Sequence, residues 1–517
     1  MNIVIRTDAS LLIGSGHVMR CLVLANAMTL QGYCVSFVMR PQAGDLISFV
    51  TQQGYKVMTL PVLNLQQNND QTQDAEAVCA VLSLQQKHTV HALLVDHYAL
   101  GKEWETTVAH ALGCKILVLD DLERAHNADL VVDQTIHRSK NSYALTNIHP
   151  NGVNATGAQF ALLKPEFAHR RRHILFENKT YEHASSRILV AMGGVDQDNV
   201  TLTVLKALVR SATSSSITVT VLMSRQSPHF ATIASYCAQH DWITHHEFIF
   251  DMAQLISQHS IGIGAAGTSA LERACLGLPS IIIPIADNQR TIASELHAVR
   301  AGLVIETSDI TSQLADGLQL LDAHYSEFRH NGLVLADGLG TNRVVHLLKQ
   351  LLHIDAANTV ANTSANTSSS IALRMATKND IHQVYQWQCL PQTRQYALEP
   401  RTPTWLAHEA WMLKQLDSLG DYFYIIEYAD DSLAVGVVRM NQIAAQAYQL
   451  SIYVDPQYHH QGIATAALAY VDAIHFDVTL HATVLIENSA SQQLFCRAQY
   501  QRVAPDTFIR AARWREI

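Results

Sequence analysis

Short apolar runs alternate with longer amphipathic stretches through the first 350 residues of this 517-residue chain. No other feature constrains the fold as much, because strands separated by helices run parallel and take those helices onto the faces of their sheet. Strands are expected at residues 3–5, 35–39, 92–95 and 115–119, with helices at 74–86 and 102–112 among them. A second series of strands starts at 187–192 and continues at 217–223, 261–263, 280–283 and 303–305. The polar stretch 177–186 between the two series reads as a hinge. Two doubly wound α/β lobes follow, residues 1–176 and 187–352, with ligand expected in the cleft outside the carboxyl ends of their strands.

The length exceeds one hydrophobic core, so further domains are expected. Residues 353–370, polar and of low complexity from Asp355 onward, read as a flexible linker, which leaves 371–517 as a third domain. A net charge of −9 argues against nucleic acid or an anionic membrane as the main partner. Eight cysteines without a Cys-x-x-Cys pair read as reduced thiols, neither a disulfide frame nor a zinc site. The adjacent histidine pairs 245–246 and 459–460 lack the spacing of a helical metal clamp, so no metal site is expected. The N-terminus lacks a signal-peptide core and no apolar run is long enough to span a bilayer, so a cytoplasmic protein is expected.

Residues 6–20 join the first strand to a helix with apolar positions Val18, Leu22, Ala25 and Met28. Gly14 and Gly16 let the backbone approach a ligand, and the unpaired N–H groups of the helix start suit a diphosphate. His17 stands at that mouth. An imidazole titrating near neutrality there is suited to take a proton from water beside a departing phosphate, or only to hydrogen-bond its own loop. In the second lobe Gly262-Ile-Gly-Ala-Ala-Gly-Thr-Ser-Ala-Leu-Glu272 ends a strand and opens a helix near Thr268. Glu272 would accept the hydroxyls of a ribose, or close a capping box with Ser269. Gly193-Gly194 either makes a tight turn or admits a phosphate.

Taken together in order, Arg6-x-Asp8, Ile13-Gly-Ser-Gly-His17-x-x-Arg20, Asp96-His-Tyr98, Asp120-Asp121, Met192-Gly-Gly, Ala266-Gly-Thr-Ser-x-x-Glu272 and Asn288-Gln289 resemble the UDP-sugar hydrolase of pseudaminic acid biosynthesis. That enzyme removes UDP from 2,4-diacetamido-2,4,6-trideoxy-β-L-altrose. The resemblance implies two Rossmann-like lobes of glycosyltransferase-B type. It makes His17 the general base for water and puts Glu272 on the uridine ribose. Asn288, Gln289 and Tyr98 would lie near the sugar, with Asp8 and Arg20 in support. Loop N–H groups at Gly14 to Gly16 or at Gly193-Gly194 would hold the diphosphate, and no metal is required.

In the third domain a strand at 448–454 precedes Tyr458-His-His-Gln-Gly-Ile-Ala-Thr465, a glycine turn opening an apolar helix, again an anion cradle of N–H groups. A strand at 483–486 and Asn488-Ser-Ala-Ser-Gln-Gln-Leu-Phe495 follow. This order resembles the α+β GNAT acetyltransferase fold. The resemblance implies acetyl-CoA as co-substrate, held by Val454, Gln461, Gly462, Ala464 and Thr465, with Asn488 on the pantetheine arm. Trp387, Arg394, His408 and Trp411 are similar to residues of acetyltransferases acting on 4-amino sugar nucleotides. The chain departs from the pattern at His459, and at Phe495, where a tyrosine acid is usual; Tyr500 and Tyr453 are the candidate replacements. A bifunctional enzyme is therefore expected, acetylating a UDP-4-amino sugar and then hydrolysing the product. The rival is a UDP-sugar glycosyltransferase carrying a non-catalytic acetyl-CoA-binding module.

Overall fold

Ile3, Val4 and Ile5 are all buried because β1 (Asn2–Thr7) is an interior strand with helices on both faces. The structure, a computed structural model, describes every residue except 12, 63–69, 85–88, 178–186, 194–195, 212–216, 361–370, 430–431 and 514–517. The first sheet adds β2 (Cys34–Met39), β3 (Lys56–Thr59), β4 (Val90–Asp96), β5 (Lys115–Leu119), β6 (Leu130–Asp133) and β7 (Val153–Thr156). Its order is β3-β2-β1-β4-β5-β6-β7 and all pairs are parallel. The order reverses between β1 and β4, so the carboxyl ends of those two strands flank the switch point where a doubly wound sheet opens a crevice.

The second sheet repeats the plan with β8 (Arg187–Ala191), β9 (Thr218–Leu222), β10 (Ile243–His246), β11 (Ile261–Gly264), β12 (Ser280–Ile282) and β13 (Leu303–Val304). Its order β10-β9-β8-β11-β12-β13, again all parallel, puts the switch point between β8 and β11. The helix Gly340–Val360 then returns to the first sheet, where Val344, Val345, Leu348 and Leu352 join the core built on Ile3 and Ile5. Residues 353–360, expected in the linker, thus continue a helix, while 361–370 and most of the expected hinge lie outside the described residues.

The third sheet consists of β14 (Ile371–Met375), β15 (Tyr422–Tyr428), β16 (Ala434–Ala444), β17 (Ala447–Val454), β18 (Thr479–Thr483), β19 (Gln501–Ala504) and β20 (Thr507–Arg510). It runs β14-β15-β16-β17-β18-β20-β19, antiparallel except for β17 and β18. That parallel pairing ends at Leu450 and Ala482, while β17 continues to Val454 against β16 alone. The strand expected at 483–486 lies earlier, at Thr479–Thr483. Leu480 and Ala482 alternate into the core there, whereas the apolar 484–486 leave the sheet for a turn. The chain divides into two compact units, Met1–Arg171 with Thr180–Val360, and Arg172–Lys179 with Ala361–Ile517.

Candidate functional site

The helix Gly16–Leu30 starts one residue after Ser15, whose side chain gives it no cap, so its first N–H groups are left open. Gly14 reaches that start with φ +79, and a Cβ at Gly14 or Gly16 would meet open space, so the backbone rather than any packing partner forms this rim. On the first turn His17 meets the end of β4: its Nδ1 lies 2.6 Å from Asp96 Oδ1. The Arg20 guanidinium grips the same carboxylate through Nε at 2.7 Å and Nη2 at 2.6 Å. Despite complete burial, Arg20 and His17 hold the Asp96 carboxyl well below the usual range, so it is an acceptor. Nδ1 of His17 faces that acceptor and is the nitrogen placed to donate, which in the neutral ring leaves the lone pair on Nε2. The Tyr98 ring stands edge-on to the imidazole at 4.6 Å, and its hydroxyl donates to Asp121 Oδ2 at 3.1 Å. Arg20 also reaches Asp121 at 3.1 Å; it positions the pair and does not line the adjoining cavity.

That cavity, about 260 Å³, is lined by His17 and Tyr98 and by a charged wall of Arg6, Asp8, Arg40, Asp74 and His97. Asp74 accepts from Arg6, from Arg40 Nη2 at 2.6 Å and from Trp104 Nε1 at 3.0 Å. Asp8 accepts from the Arg40 backbone at 2.7 Å. Burial, reinforced by the Arg6 charge, pushes the His97 imidazole down to about 4, so it is neutral. Of this wall the sequence pattern includes Arg6, Asp8 and, within Asp96-His-Tyr98, His97. Asp74 and Arg40 lie far along the chain with no motif around them; a buried-looking aspartate in the first turn of a helix was the available signal.

Behind the Tyr98 loop, Arg124 Nη1 binds the carbonyls of Tyr98 and Leu100 while its Nε holds Asp120 at 2.7 Å. Asp120 in turn faces His126, which is fully buried with Glu105 2.7 Å from Nδ1 and Asp120 3.4 Å from Nε2. Burial opposes the charge, but the two carboxylates outweigh it and raise His126 to about 8. Its unfolded value is about 6.5. The stabilisation is thus complete below about pH 6.5 and is lost as pH rises through 8. Thermal melts from pH 6 to 9 should show this alkaline decline, and His126→Gln should flatten it.

In the second lobe Gly193 turns at the end of β8 with φ +95 and open space at its Cβ position; Gly194 lies outside the described residues. Gly262 and Gly264 have a packing role: a Cβ on either would come within 2.8 Å of the Arg273 side chain. Arg273 is buried against β11 and donates to the Ala265 carbonyl at 3.0 Å, fixing the turn. The helix Thr268–Cys275 has Gly267 as its N-cap and no side-chain cap, so the capping box open to Ser269 and Glu272 does not form. The Glu272 carboxyl makes no hydrogen bond among the described residues, while its carbonyl accepts from the Leu276 N–H. Burial pushes its carboxyl up to about 7, with Lys164 and Arg273 pulling the other way. Gln289 accepts from the Ile285 N–H at 3.0 Å and so shapes its own loop, while the side chain of Asn288 lies outside the described residues.

In the third domain Gly462 has φ +80 and caps the helix Ile463–Ile474 without a side-chain bond. Ala464 and Thr465 lie on the open first turn, and Gln461 accepts from the Tyr428 hydroxyl at 2.8 Å. Val454 closes β17, its carbonyl receiving His459 Nε2 at 3.0 Å. Asn488 caps the next helix by accepting from Ser491 N–H at 3.0 Å, which accounts for it structurally. Phe495 is buried between Tyr500 and Phe508. Tyr500 donates to Asp472 at 3.0 Å; burial and that carboxylate push its hydroxyl far up. Of the two candidate acids, Tyr453 is the one without a carboxylate partner. Among the described residues no three His, Cys, Asp or Glu side chains converge as a metal cage, and no helix is long and apolar enough to cross a membrane.

Residues 187–330 match the glycosyltransferase family 28 C-terminal domain, and residues 370–501 match the acetyltransferase (GNAT) domain. The two doubly wound lobes are of the glycosyltransferase-B type, followed by a GNAT domain. An uncharacterized protein of Methanocaldococcus jannaschii is 21% identical over 504 residues, 96% of each chain. The UDP-2,4-diacetamido-2,4,6-trideoxy-beta-L-altropyranose hydrolase of Campylobacter jejuni is 23% identical over 241 residues, covering 47% of this chain and 76% of that protein. The crystal structure of Acinetobacter baumannii MurG covers 68% of this chain and 99% of its own, at 18% identity and a TM-score of 0.49.

Proposed function

We propose that residues 1–352 hydrolyse a UDP-linked 2,4-diacetamido-2,4,6-trideoxy-L-altrose to UDP and free sugar, and that residues 371–517 acetylate its 4-amino precursor from acetyl-CoA. The observation that carries the first half is the His17–Asp96 pair on the wall of a cavity beside an open helix start. Nε2 of His17 takes a proton as water attacks the anomeric carbon. The bond from that carbon to the diphosphate breaks, UDP leaves with the electron pair, and the anomeric centre inverts. The Gly14 N–H, expected to face the diphosphate, is taken by the Ser10 carbonyl at 2.8 Å, so the N–H groups at Gly16 and His17, and at Gly193, are the ones suited to the departing phosphates. Ligand pockets typically run from ~300 Å³ upward. A cavity of about 260 Å³ suits one sugar better than a sugar with a glycan acceptor. In the GNAT domain the neutral amine attacks the thioester carbon, the carbon–sulfur bond breaks, the nitrogen sheds one proton to solvent to become the amide, and CoA leaves as a thiolate with a thiol pKa of about 8.5. Tyr453 is assigned to protonate it.

Incubating the full chain with the UDP-sugar, chelator and no acceptor should give UDP and free sugar by mass spectrometry. With the 4-amino precursor, acetylated sugar should form only when acetyl-CoA is added. An intact UDP-sugar after prolonged incubation would turn the assignment toward a glycosyltransferase.

Glu272 is assigned to the ribose hydroxyls, which need an ionised acceptor. With its carboxyl at about 7 before ligand binds, UDP affinity should rise as pH increases from 6 to 8. Glu272→Gln should weaken UDP and remove that pH dependence, read by calorimetric titration.

A further inference from the structure

A guanidinium sheltered from water normally faces a carboxylate, because an unpaired desolvated charge is costly. In the third domain Arg374 faces Asp380 and Glu427, each at 2.8 Å, and Arg510 faces Asp472 at 2.9 Å. Arg439 departs from this. It is only half-buried, yet its guanidinium makes no hydrogen bond or ion pair among the described residues, and its Nε is buried without a partner. The Trp411 ring supports the guanidinium face-on at 5.2 Å. The carboxylate whose field reaches it, Asp421, is occupied by the Gln442 N–H at 2.6 Å and by Asn441 at 3.1 Å. Burial accordingly holds Arg439 below its ordinary pKa.

A second cation lies near it. Val437 pairs with Tyr453 in the β16–β17 register, so Arg439 and Tyr453 share one face of the sheet. Arg394, on the short helix Pro391–Arg394, is close enough for its charge to act on Tyr453. Its Nη1 holds the carbonyls of Glu399 and Arg401, at 2.9 and 3.0 Å, but its buried Nε is unpartnered. Two cations, each with an idle Nε, thus gather by the stretch of β17 that continues beyond its pairing with β18. Among the described residues neither forms an ion pair with a carboxylate.

We propose that Arg439, with Arg394 beside it, seats a phosphate of a nucleotide-linked acetyl acceptor. This rests on the acetyltransferase assignment above and adds to it. The acceptor reaches the GNAT domain with its diphosphate attached, so acetylation precedes removal of the nucleotide.

The test compares two acceptors of the full chain, the UDP-linked 4-amino sugar and the same amino sugar without the nucleotide. CoA thiol release is measured at saturating acetyl-CoA. The native chain should prefer the UDP-linked acceptor. Arg439→Gln should shrink that preference in kcat/KM by tenfold or more, mainly through KM, with KM for acetyl-CoA unmoved. Arg439→Lys, which keeps the charge, should restore part of it and guards against misfolding of the Gln variant. Loss of both acceptors in equal proportion, or an unchanged preference, overturns the phosphate seat and leaves the acetyltransferase assignment standing. Turnover of neither acceptor by the native chain overturns both.

Discussion

His17→Ala should lower UDP release by about 10²–10⁴ while UDP binds within a few-fold of the native affinity, because the imidazole activates water without holding the nucleotide. Asp96→Asn tests the same step from behind. An asparagine offers Nδ1 either an amide donor or a weaker acceptor. In the first case the ring hydrogen moves to Nε2 and the base is lost. The equivalent change in a serine protease triad costs about 10⁴ in kcat. A loss above ~10² is expected here, where Arg20 also loses its ionic partner. Both variants are measured by UDP formation, with melting curves to show that they fold. Native-like turnover by the His17 variant removes that residue from the mechanism.

The largest stability effect is expected at Asp74. Its carboxylate holds the buried guanidinium of Arg6, that of Arg40 and the Trp104 indole. Removing one partner of a buried ion pair typically costs about 3–5 kcal/mol, and here Arg6 keeps Asp8 at 2.7 Å, which offsets part of the loss and sets the lower end of that range as the expectation. Asp74→Ala should lose that much in denaturant titration, more than Trp104→Phe, which deletes one neutral donor. The pH dependence has a definite sign. Arg6 and Arg40 hold the folded Asp74 at about 2 against an unfolded value near 3.9, so its stabilisation is present above about pH 4 and is lost as pH falls toward 2. The variant should lose this part of the acid limb. An Asp74→Ala protein as stable as the native one would make the charged wall a ligand-binding device without structural weight.

The apolar periodicity located the interior strands well. For β5 the expected 115–119 is the observed span, and β4 and β11 differ by one or two residues at an end. Strands β3, β6, β7 and β10 escaped because four residues such as Val153-Asn-Ala-Thr carry no period of their own and are recruited by the neighbouring strand. At the site, His17 and Asp96 could be named from their motifs, but not their pairing. Two strands must lie side by side at the switch point before residues 79 apart in sequence can touch. The glycines of β11 show the converse. They read as part of a glycine-rich turn between strand and helix, yet Gly262 and Gly264 make room for the Arg273 side chain, an aim the sequence does not encode locally.

The returning helix Gly340–Val360 has a bearing on how this protein is made. Leu348 and Leu352 complete a core begun by Ile3 and Ile5. During synthesis the first lobe therefore waits, with part of its apolar face uncovered, until the whole second lobe has left the ribosome. Its nascent form is a client for chaperones, and a gene truncated at residue 330, where the matched glycosyltransferase segment ends, would leave that exposure permanent.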